Sequence, residues 1–278
     1  MSADGDSWER DVQSALERGR ATLEGFERIE LELNGIRTVV HVRGTGEPVV
    51  FLHGGGTFTG FDYLRDWTKT HRVIVPYHPG FGESADDARI DSMQDYVLHY
   101  LDLFDALKLG RMSLVGYSFG GWMAAEIALV QQERLDKLVL VAPSGLVVRD
   151  PPSTDLLSLH PSEVMAHLTA RPERLKPYLP EGHDLPFLTL RYRETKATAR
   201  ITWDHPSGNP KLERWLHRIR TPTLLVWGSG DRLRPLAHGE AWARLLPQAR
   251  LSVHEGAGHL VLEEEPAASA EIGAFLAA

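Results

Sequence analysis

The residues best suited to chemistry lie at 116–120, where a serine stands between two glycines in the pattern G-x-S-x-G. The apolar run 112–115 precedes this pentapeptide, and a helical pattern at 122–129 follows it. Such a strand-turn-helix setting lifts the hydroxyl of Ser118 clear of a sheet, and the following helix directs free N–H groups at the same place. A serine in this position is suited to attack a carbonyl.

Serine becomes a nucleophile when a base takes its proton, and the base needs a group that orients it. The sequence offers a candidate for each role. Asp231 lies in a loop just past the apolar run 223–227, and His259 lies in a glycine-rich loop past the last strand pattern. His254 is interpreted as a residue at the end of that strand rather than as the base.

Elements that could position these groups alternate along the chain. Unbroken apolar runs are typical of parallel strands covered on both faces, and strands that alternate with helices predict an α/β fold. The predicted strands are 29–33, 37–42, 48–52, 72–76, the run before Ser118, 137–141, 223–227 and 250–253. The predicted helices are 7–24, 92–107, the one after Ser118, 236–246 and 267–277, and Asn34 and Gly35 form the predicted hairpin turn.

The alternation stops after Pro143 and resumes near Thr221. Residues between these points are rich in proline, histidine and arginine and favour short helices. The sequence therefore predicts an N-terminal helical extension (1–27), an α/β core (28–144 and 213–278) and an inserted cap (145–212). Sheets of this type bind ligands at the ends of their strands, which is where the insertion is expected.

Composition limits the possible functions. The 278 residues are 42% hydrophobic and carry a net charge of −8 with no cysteine, so we expect no disulfide, no thiolate nucleophile and no nucleic-acid partner. No apolar stretch approaches the roughly 18 residues of a membrane span, and the acidic N-terminus lacks a signal-peptide core, so we expect a cytoplasmic monomer or homodimer without a membrane partner. No metal and no cofactor are expected, because no zinc spacing occurs among His160, His167, His183 and His205.

Five motifs, in order along the chain, carry a resemblance to a known superfamily. They are H-G-G-G at 53–56, P-G-F-G-E-S at 79–84, G-Y-S-F-G-G at 116–121, W-G-S-G-D at 227–231 and G-A-G-H at 256–259. With them the chain resembles the α/β-hydrolase superfamily, and in particular its esterases and its C–C bond hydrolases of meta-cleavage products. The resemblance implies a mostly parallel eight-stranded sheet with helices on both faces and an inserted helical cap.

The resemblance also implies roles for individual residues. Ser118 corresponds to the nucleophile, His259 to the base and Asp231 to the carboxylate that orients it. The N–H groups of Phe119 and Gly55 correspond to the oxyanion hole.

Further residues are assigned outside the triad and the oxyanion hole. Gly54, Gly56, Tyr117 and Trp203 are assigned to substrate contacts. The acidic residues Glu83, Asp86 and Asp87 are interpreted as a solvated polar turn. Similar proteins often carry an acid where Tyr77 stands, a departure that concerns loop packing.

The predicted function is that of a cofactor-independent serine hydrolase acting on an ester or activated carbonyl of a small molecule. Hydrolysis of a C–C bond in an aromatic ring-cleavage product is an alternative. A lyase, cyclase or acyltransferase on the same fold is another, and a non-catalytic ligand receptor is a third. An epoxide hydrolase or dehalogenase is disfavoured, because similar enzymes of that kind carry a carboxylate where Ser118 stands.

Overall fold

A computed structural model describes residues 14–17, 19–180 and 182–278. Its eight strands are β1 (Glu27–Leu33), β2 (Ile36–Arg43), β3 (Pro48–Leu52), β4 (Arg72–Pro76), β5 (Met112–Tyr117), β6 (Leu135–Val141), β7 (Thr223–Gly228) and β8 (Ala249–His254). They form one sheet in the order β1-β2-β4-β3-β5-β6-β7-β8. β2 is antiparallel to both β1 and β4, and every other neighbouring pair is parallel. The prediction of a mostly parallel eight-stranded sheet is confirmed.

The α-helices are α1 (Met93–Ala106), α2 (Phe119–Gln131), α3 (Pro161–Leu168), α4 (Leu185–Thr202), α5 (Leu236–Leu245), α6 (Val261–Glu264) and α7 (Pro266–Ala277). Short 3₁₀ turns lie at Asp62–Leu64, Trp67–Lys69, Gln132–Arg134, Leu156–Ser158, Pro172–Arg174, Lys176–Tyr178, Leu212–Arg214 and Leu216–Arg218. Residues 14–17 and 19–22 are helical, in agreement with the predicted N-terminal helix, whose residues 7–13 and 18 lie outside the described ranges.

Alternating side chains on β3 show how the sheet is covered on both faces. Val50 and Leu52 belong to the core on the side of α1 and α2, whereas Val49 and Phe51 belong to a second core on the side of α7. All four side chains are fully buried. This double burial explains why the central strands are unbroken apolar runs in the sequence.

The predicted hairpin between β1 and β2 is confirmed. Leu33 pairs with Ile36, so the turn has two residues, and both have positive φ angles, 52° at Asn34 and 79° at Gly35. A two-residue turn with this backbone matches the twist of the flanking strands.

The interpretation of Glu83 as a solvated residue is wrong. Glu83 is buried, and its carboxylate accepts hydrogen bonds from Arg20 at 2.6 Å and Arg28 at 2.8 Å and contacts His41 at 3.2 Å. Burial alone would raise the pKa of Glu83, but the bonds from His41 and the two arginines outweigh it and lower the pKa. These partners lie more than 40 positions away in sequence, so the acidic turn gave no sign of them.

Residues 145–212 contribute no strand to the sheet in the part of the chain that the structure describes. Their longest helix, α4, is tied to two loops of the core. The carboxylate of Glu194, which is fully buried, accepts the N–H of Thr57 at 3.1 Å and the N–H of Gly82 at 3.2 Å. Helix α4 has a further contact with the loop after β4, the ion pair of Lys196 with Asp86 at 3.1 Å.

Two stacked histidines lie beneath the loops that follow β3 and β4. The rings of His53 and His78 are 3.6 Å apart between centroids, and both are buried. Nδ1 of His53 donates to the carbonyl of Gly54 at 2.8 Å, and its Nε2 accepts the N–H of His78 at 3.2 Å. Burial lowers the pKa of His53 to about 3 and, together with the neighbouring His53, holds the pKa of His78 well below its ordinary value.

Acidification is therefore expected to destabilise the fold before the carboxylates titrate. Unfolded histidines take up protons below pH 6.5, whereas the folded pair stays neutral until far lower pH, so the free energy of unfolding falls as pH decreases through this window. Each such histidine contributes a slope of about 1.4 kcal/mol per pH unit. Urea unfolding at intervals from pH 6.5 to about pH 4.5 measures the slope.

His78→Gln is expected to reduce this slope, and His217→Gln, which alters an exposed histidine, is the matched control. An unchanged slope in His78→Gln would contradict the assignment.

Candidate active site

Ser118 lies in the sharp turn between β5 and α2. Its φ and ψ angles are 52° and −110°, a conformation that residues with side chains rarely adopt. Hydrogen bonds hold the turn: the N–H of Ser118 donates to Val141 of β6 at 2.8 Å, and the carbonyl of Ser118 accepts the N–H of Trp122 at 3.1 Å. The backbone thus presents the hydroxyl of Ser118 at the carboxyl end of the central strand.

The turn needs glycine at the positions that the motif specifies. A methyl group on Gly120 would lie 2.2 Å from the carbonyl oxygen of Leu52, and one on Gly116 would lie 2.4 Å from the carbonyl oxygen of Gly120. Both clashes are with backbone atoms, which cannot turn aside as a side chain can. Helix α2 therefore packs against β3 and β5 at a distance that only glycine allows.

The three residues predicted as nucleophile, base and acid form one chain of hydrogen bonds. Nε2 of His259 is 2.9 Å from Oγ of Ser118, and Nδ1 of His259 is 2.8 Å from Oδ2 of Asp231. His259 and Asp231 are buried. Oδ1 of Asp231 accepts the N–H groups of Leu233 at 2.8 Å and Arg234 at 2.7 Å, so the carboxylate is held in place. This arrangement keeps a proton on Nδ1 and leaves Nε2 free to accept the serine proton.

Two carboxylates that the sequence analysis missed hold the loop of His259. Glu264 is buried and accepts the N–H of Gly258 at 2.9 Å. The hydroxyl of Tyr117 is 3.0 Å from the carbonyl oxygen of His259 and 2.9 Å from Oε2 of Glu263. Burial raises the pKa of Glu263 against the opposing bonds from Thr59 and Tyr117. In the sequence these residues form part of an acidic run, which by itself indicates a solvent-exposed helix start.

A cavity of about 620 Å³ opens above Ser118, a size typical of small-molecule sites. The predicted residues Gly54, Gly55, Gly56, Tyr117 and Phe119 all line it. Most of the other lining side chains are aromatic or aliphatic, and they include Phe58, Tyr63, Trp122, Leu156, Leu157, Val164, Met165, Leu168, Leu179, Phe187 and Leu233. Residues 154–202 supply much of this wall, so the segment between β6 and β7 lies over the cavity that Ser118 also lines.

Trp203 does not belong to the cavity wall, and its assignment to substrate contact is wrong. It directly follows the last turn of α4, and its side chain is 75% exposed. Trp215 is also exposed, with the guanidinium of Arg214 5.5 Å from its ring. The residue type of Trp203 alone could not show which way its side chain faces.

Two arginines in the wall were not found from the sequence. The guanidinium of Arg191 lies 4.8 Å from the ring of Phe58 and forms an ion pair with Glu194 at 3.3 Å. Arg234 follows Asp231 by three residues and is 8% exposed. Nothing in their spacing distinguishes them from the other arginines of the chain.

Among the residues that the structure describes, no group of three or more histidine, aspartate or glutamate side chains could hold a metal ion. Within the same ranges, no helix has the length and apolar character needed to cross a membrane.

Comparison with known proteins agrees with the fold. The model described as "Alpha/beta hydrolase family" matches residues 49–272, and the chain belongs to this family of enzymes. A 2-hydroxy-6-oxo-6-phenylhexa-2,4-dienoate hydrolase of Burkholderia cepacia is 30% identical over 262 residues, which cover 83% of this chain and 87% of the relative.

Two solved structures share the fold. A naproxen esterase of Bacillus subtilis has a TM-score of 0.74 at 18% identity and covers 99% of each chain. A meta-cleavage product hydrolase of Pseudomonas fluorescens IP01 has a TM-score of 0.72 at 22% identity, with 89% of this chain and 96% of that chain covered.

The close packing at the serine turn yields a direct test. Gly120→Ala is expected to lower the free energy of unfolding by about 1–3 kcal/mol or more, because the added methyl group meets a backbone carbonyl. Gly110→Ala is the matched control, since nothing lies within 4 Å of a methyl group there, and its effect should stay below about 1 kcal/mol. Chemical denaturation measures both, and equal effects of the two substitutions would contradict the packing argument.

Proposed function

We propose that this protein is a cofactor-independent serine hydrolase that cleaves a carbonyl compound of small size. The observation that carries the proposal is the continuous chain of hydrogen bonds from Asp231 through His259 to Ser118 beneath a largely apolar cavity. A serine, a neutral imidazole and a buried carboxylate in this order are the parts that nucleophilic acyl transfer requires.

In the proposed reaction, His259 takes the proton of Ser118 as Oγ attacks the substrate carbonyl. Asp231 then stabilises the imidazolium that forms. The negative charge on the carbonyl oxygen would be met by the N–H groups of Phe119 and Gly55. Phe119 is the first residue of α2, and Gly54, next to Gly55, approaches the serine so closely that a methyl group on it would lie 3.5 Å from Cβ of Ser118.

Bond cleavage follows when His259 gives its proton to the leaving group. A water molecule that His259 deprotonates then attacks the acyl-enzyme, and Ser118 regains its proton as the acid product leaves. Every catalytic group in these steps belongs to this chain, and the substrate and water are the only other reactants.

Residues 145–212 are proposed to act as the cap that selects the substrate. They supply a large part of the cavity wall, and the Glu194 bonds hold them to the loops that follow β3 and β4. A cap of this kind keeps water away from the charged intermediates and provides the apolar surface that recognises the substrate.

A second candidate is hydrolysis of a C–C bond in a ring-cleavage product that carries a carboxylate. The relative from Burkholderia cepacia is named for a dienoate substrate, which bears such a group. The guanidinium of Arg191 in the cavity wall is a suitable partner for a carboxylate. In this case the leaving group is a carbon atom, which must be protonated as the bond breaks, and His259 is the group that can move that proton.

The nucleophile is tested with a fluorophosphonate, which should add once and map to Ser118. Ser118→Ala should not be labelled, and Asp231→Asn should lower kcat by roughly 10³–10⁴-fold while the fold stays intact, because the imidazole loses its correct tautomer. Circular dichroism serves as the control for folding. Labelling of Ser118→Ala at another serine, or near-normal turnover by Asp231→Asn, would refute the assignment.

The bond that is cleaved is tested by comparing two substrate types in the same buffer. One is a series of p-nitrophenyl esters of rising chain length, and the other is 2-hydroxy-6-oxo-6-phenylhexa-2,4-dienoate, followed by loss of its visible absorbance. Arg191→Met should raise KM for the dienoate by about tenfold or more and leave the short neutral esters little changed, since a charge-assisted bond is lost only with the former. Turnover of the esters alone would exclude the second candidate.

A further inference from the structure

Arg234 is held in the cavity wall by its backbone. Its N–H donates to Oδ1 of Asp231 at 2.7 Å, and its carbonyl oxygen accepts the indole N–H of Trp227 at 2.7 Å. The loop that carries Asp231 is therefore fixed by main-chain bonds. The guanidinium of Arg234 takes no part in these bonds.

The guanidinium of Arg234 is buried and has few hydrogen-bond partners among the described residues. Nη2 is 3.4 Å from Oγ of Ser144, a long contact, and within the described part of the chain Nε and Nη1 have no hydrogen-bond partner. A guanidinium has five N–H donors, and leaving buried donors unused costs free energy. Nε and Nη1 have almost no accessible surface, so an acceptor from the cavity that Arg234 lines reaches these unused donors when the guanidinium turns towards it.

The neighbouring carboxylates do not bind the guanidinium of Arg234. The two that influence Arg234 are Asp231 and Asp155, and neither forms an ion pair with it in the described residues. Asp231 is already engaged by His259 and two main-chain N–H groups, and Asp155 accepts the N–H of Leu157 at 3.0 Å. Burial lowers the pKa of Arg234 to about 10, and the two aspartates oppose this lowering, so the side chain is a cation at neutral pH.

Arg234 also lies next to the reacting centre. The N–H of Ser144 donates to the carbonyl of Ser118 at 2.9 Å, and Ser144 lines the cavity together with Arg234. Arg191, the other guanidinium of the wall, belongs to α4 and is already paired with Glu194. The two guanidinium groups thus lie on different elements. That of Arg191 has a carboxylate partner, whereas that of Arg234 has none among the described residues.

We propose that Arg234 and the hydroxyl of Ser144 form an anion subsite that binds a carboxylate of the substrate. The proposal rests on the proposed function and specifies its substrate class: acidic acyl compounds are preferred over neutral ones. A substrate that engages both Arg191 and Arg234 is a dicarboxylate. A carboxylate fits the fork of a guanidinium, which offers two parallel N–H donors.

The test uses pairs of esters that differ only in charge. In one pair the charge lies in the acyl part: mono-p-nitrophenyl glutarate against its methyl ester. In the other pair the charge lies in the leaving group: 4-acetoxybenzoate against its methyl ester. The measured quantity is the ratio of kcat/KM for the acidic ester to that for the neutral ester.

The wild-type protein is expected to prefer the acidic member of at least one pair. Arg234→Met should reduce that ratio by about tenfold or more, mainly through KM, and Arg234→Lys should restore part of it, because it keeps the charge without the fork. Arg232→Met, which removes an exposed arginine of the same loop, should leave the ratio unchanged. Circular dichroism and Tm establish that each variant is folded.

Three outcomes would overturn the proposal. The wild type could show no preference for the acidic esters, Arg234→Met could keep the preference intact, or it could lower kcat equally for acidic and neutral esters. The last result would mean that Arg234 only supports Asp231.

Failure of the proposed function is recognised separately, by the absence of fluorophosphonate labelling and of turnover of any ester. In that case calorimetric titration with glutarate and with benzoate decides the matter. Binding of either by the wild type that weakens about tenfold or more in Arg234→Met supports the subsite, and absence of binding by the wild type, or equal binding by both proteins, overturns it.

Discussion

Helix α2 begins directly after Ser118 because residues 116 and 120 have no side chain to hold it away from the sheet. This close approach places the N–H groups of the first helical turn, the hydroxyl of Ser118 and the loop after β3 within one small volume. The main-chain bonds from Ser118 to Val141 and from Trp122 to Ser118 maintain the strained turn. His259 and the cavity both lie against this turn.

Buried carboxylates outside the reacting centre connect the loops that must act together. Glu194 joins α4 to the main chain at Thr57 and Gly82, and Glu264 fixes the loop of His259 at Gly258. Each of these carboxylates accepts main-chain N–H groups, which are charge-assisted bonds that hold a loop at a defined height above the sheet. The position of His259 and that of α4 thus depend on carboxylates that bind main-chain groups of the core.

Strands, helices and the order of the motifs could be predicted because they follow from local patterns. Apolar runs gave every strand to within two residues, and glycine spacing identified the turn at Ser118. Glu83 and Trp203 were misjudged because burial depends on partners far away in sequence, such as Arg20 and Arg28. Arg234 was missed for the same reason: only the packing of its loop against Ser144 reveals that it is a buried cation with unused donors.

The cavity wall contains two arginines beside the carboxylates of Asp155 and Glu263, although the whole chain is acidic. A net charge of −8 repels acidic molecules at long range, but salt at physiological strength screens such fields beyond about 8 Å. In the cavity wall, Arg191 and Arg234 act on a bound molecule over distances shorter than this screening length. Arg191 shares its charge with Glu194, whereas Arg234 has no ion-pair partner among the described residues, so the proposed interaction with an acidic substrate depends most strongly on Arg234. Selection for acidic substrates would then take place within the cavity, during binding, rather than during diffusion towards it.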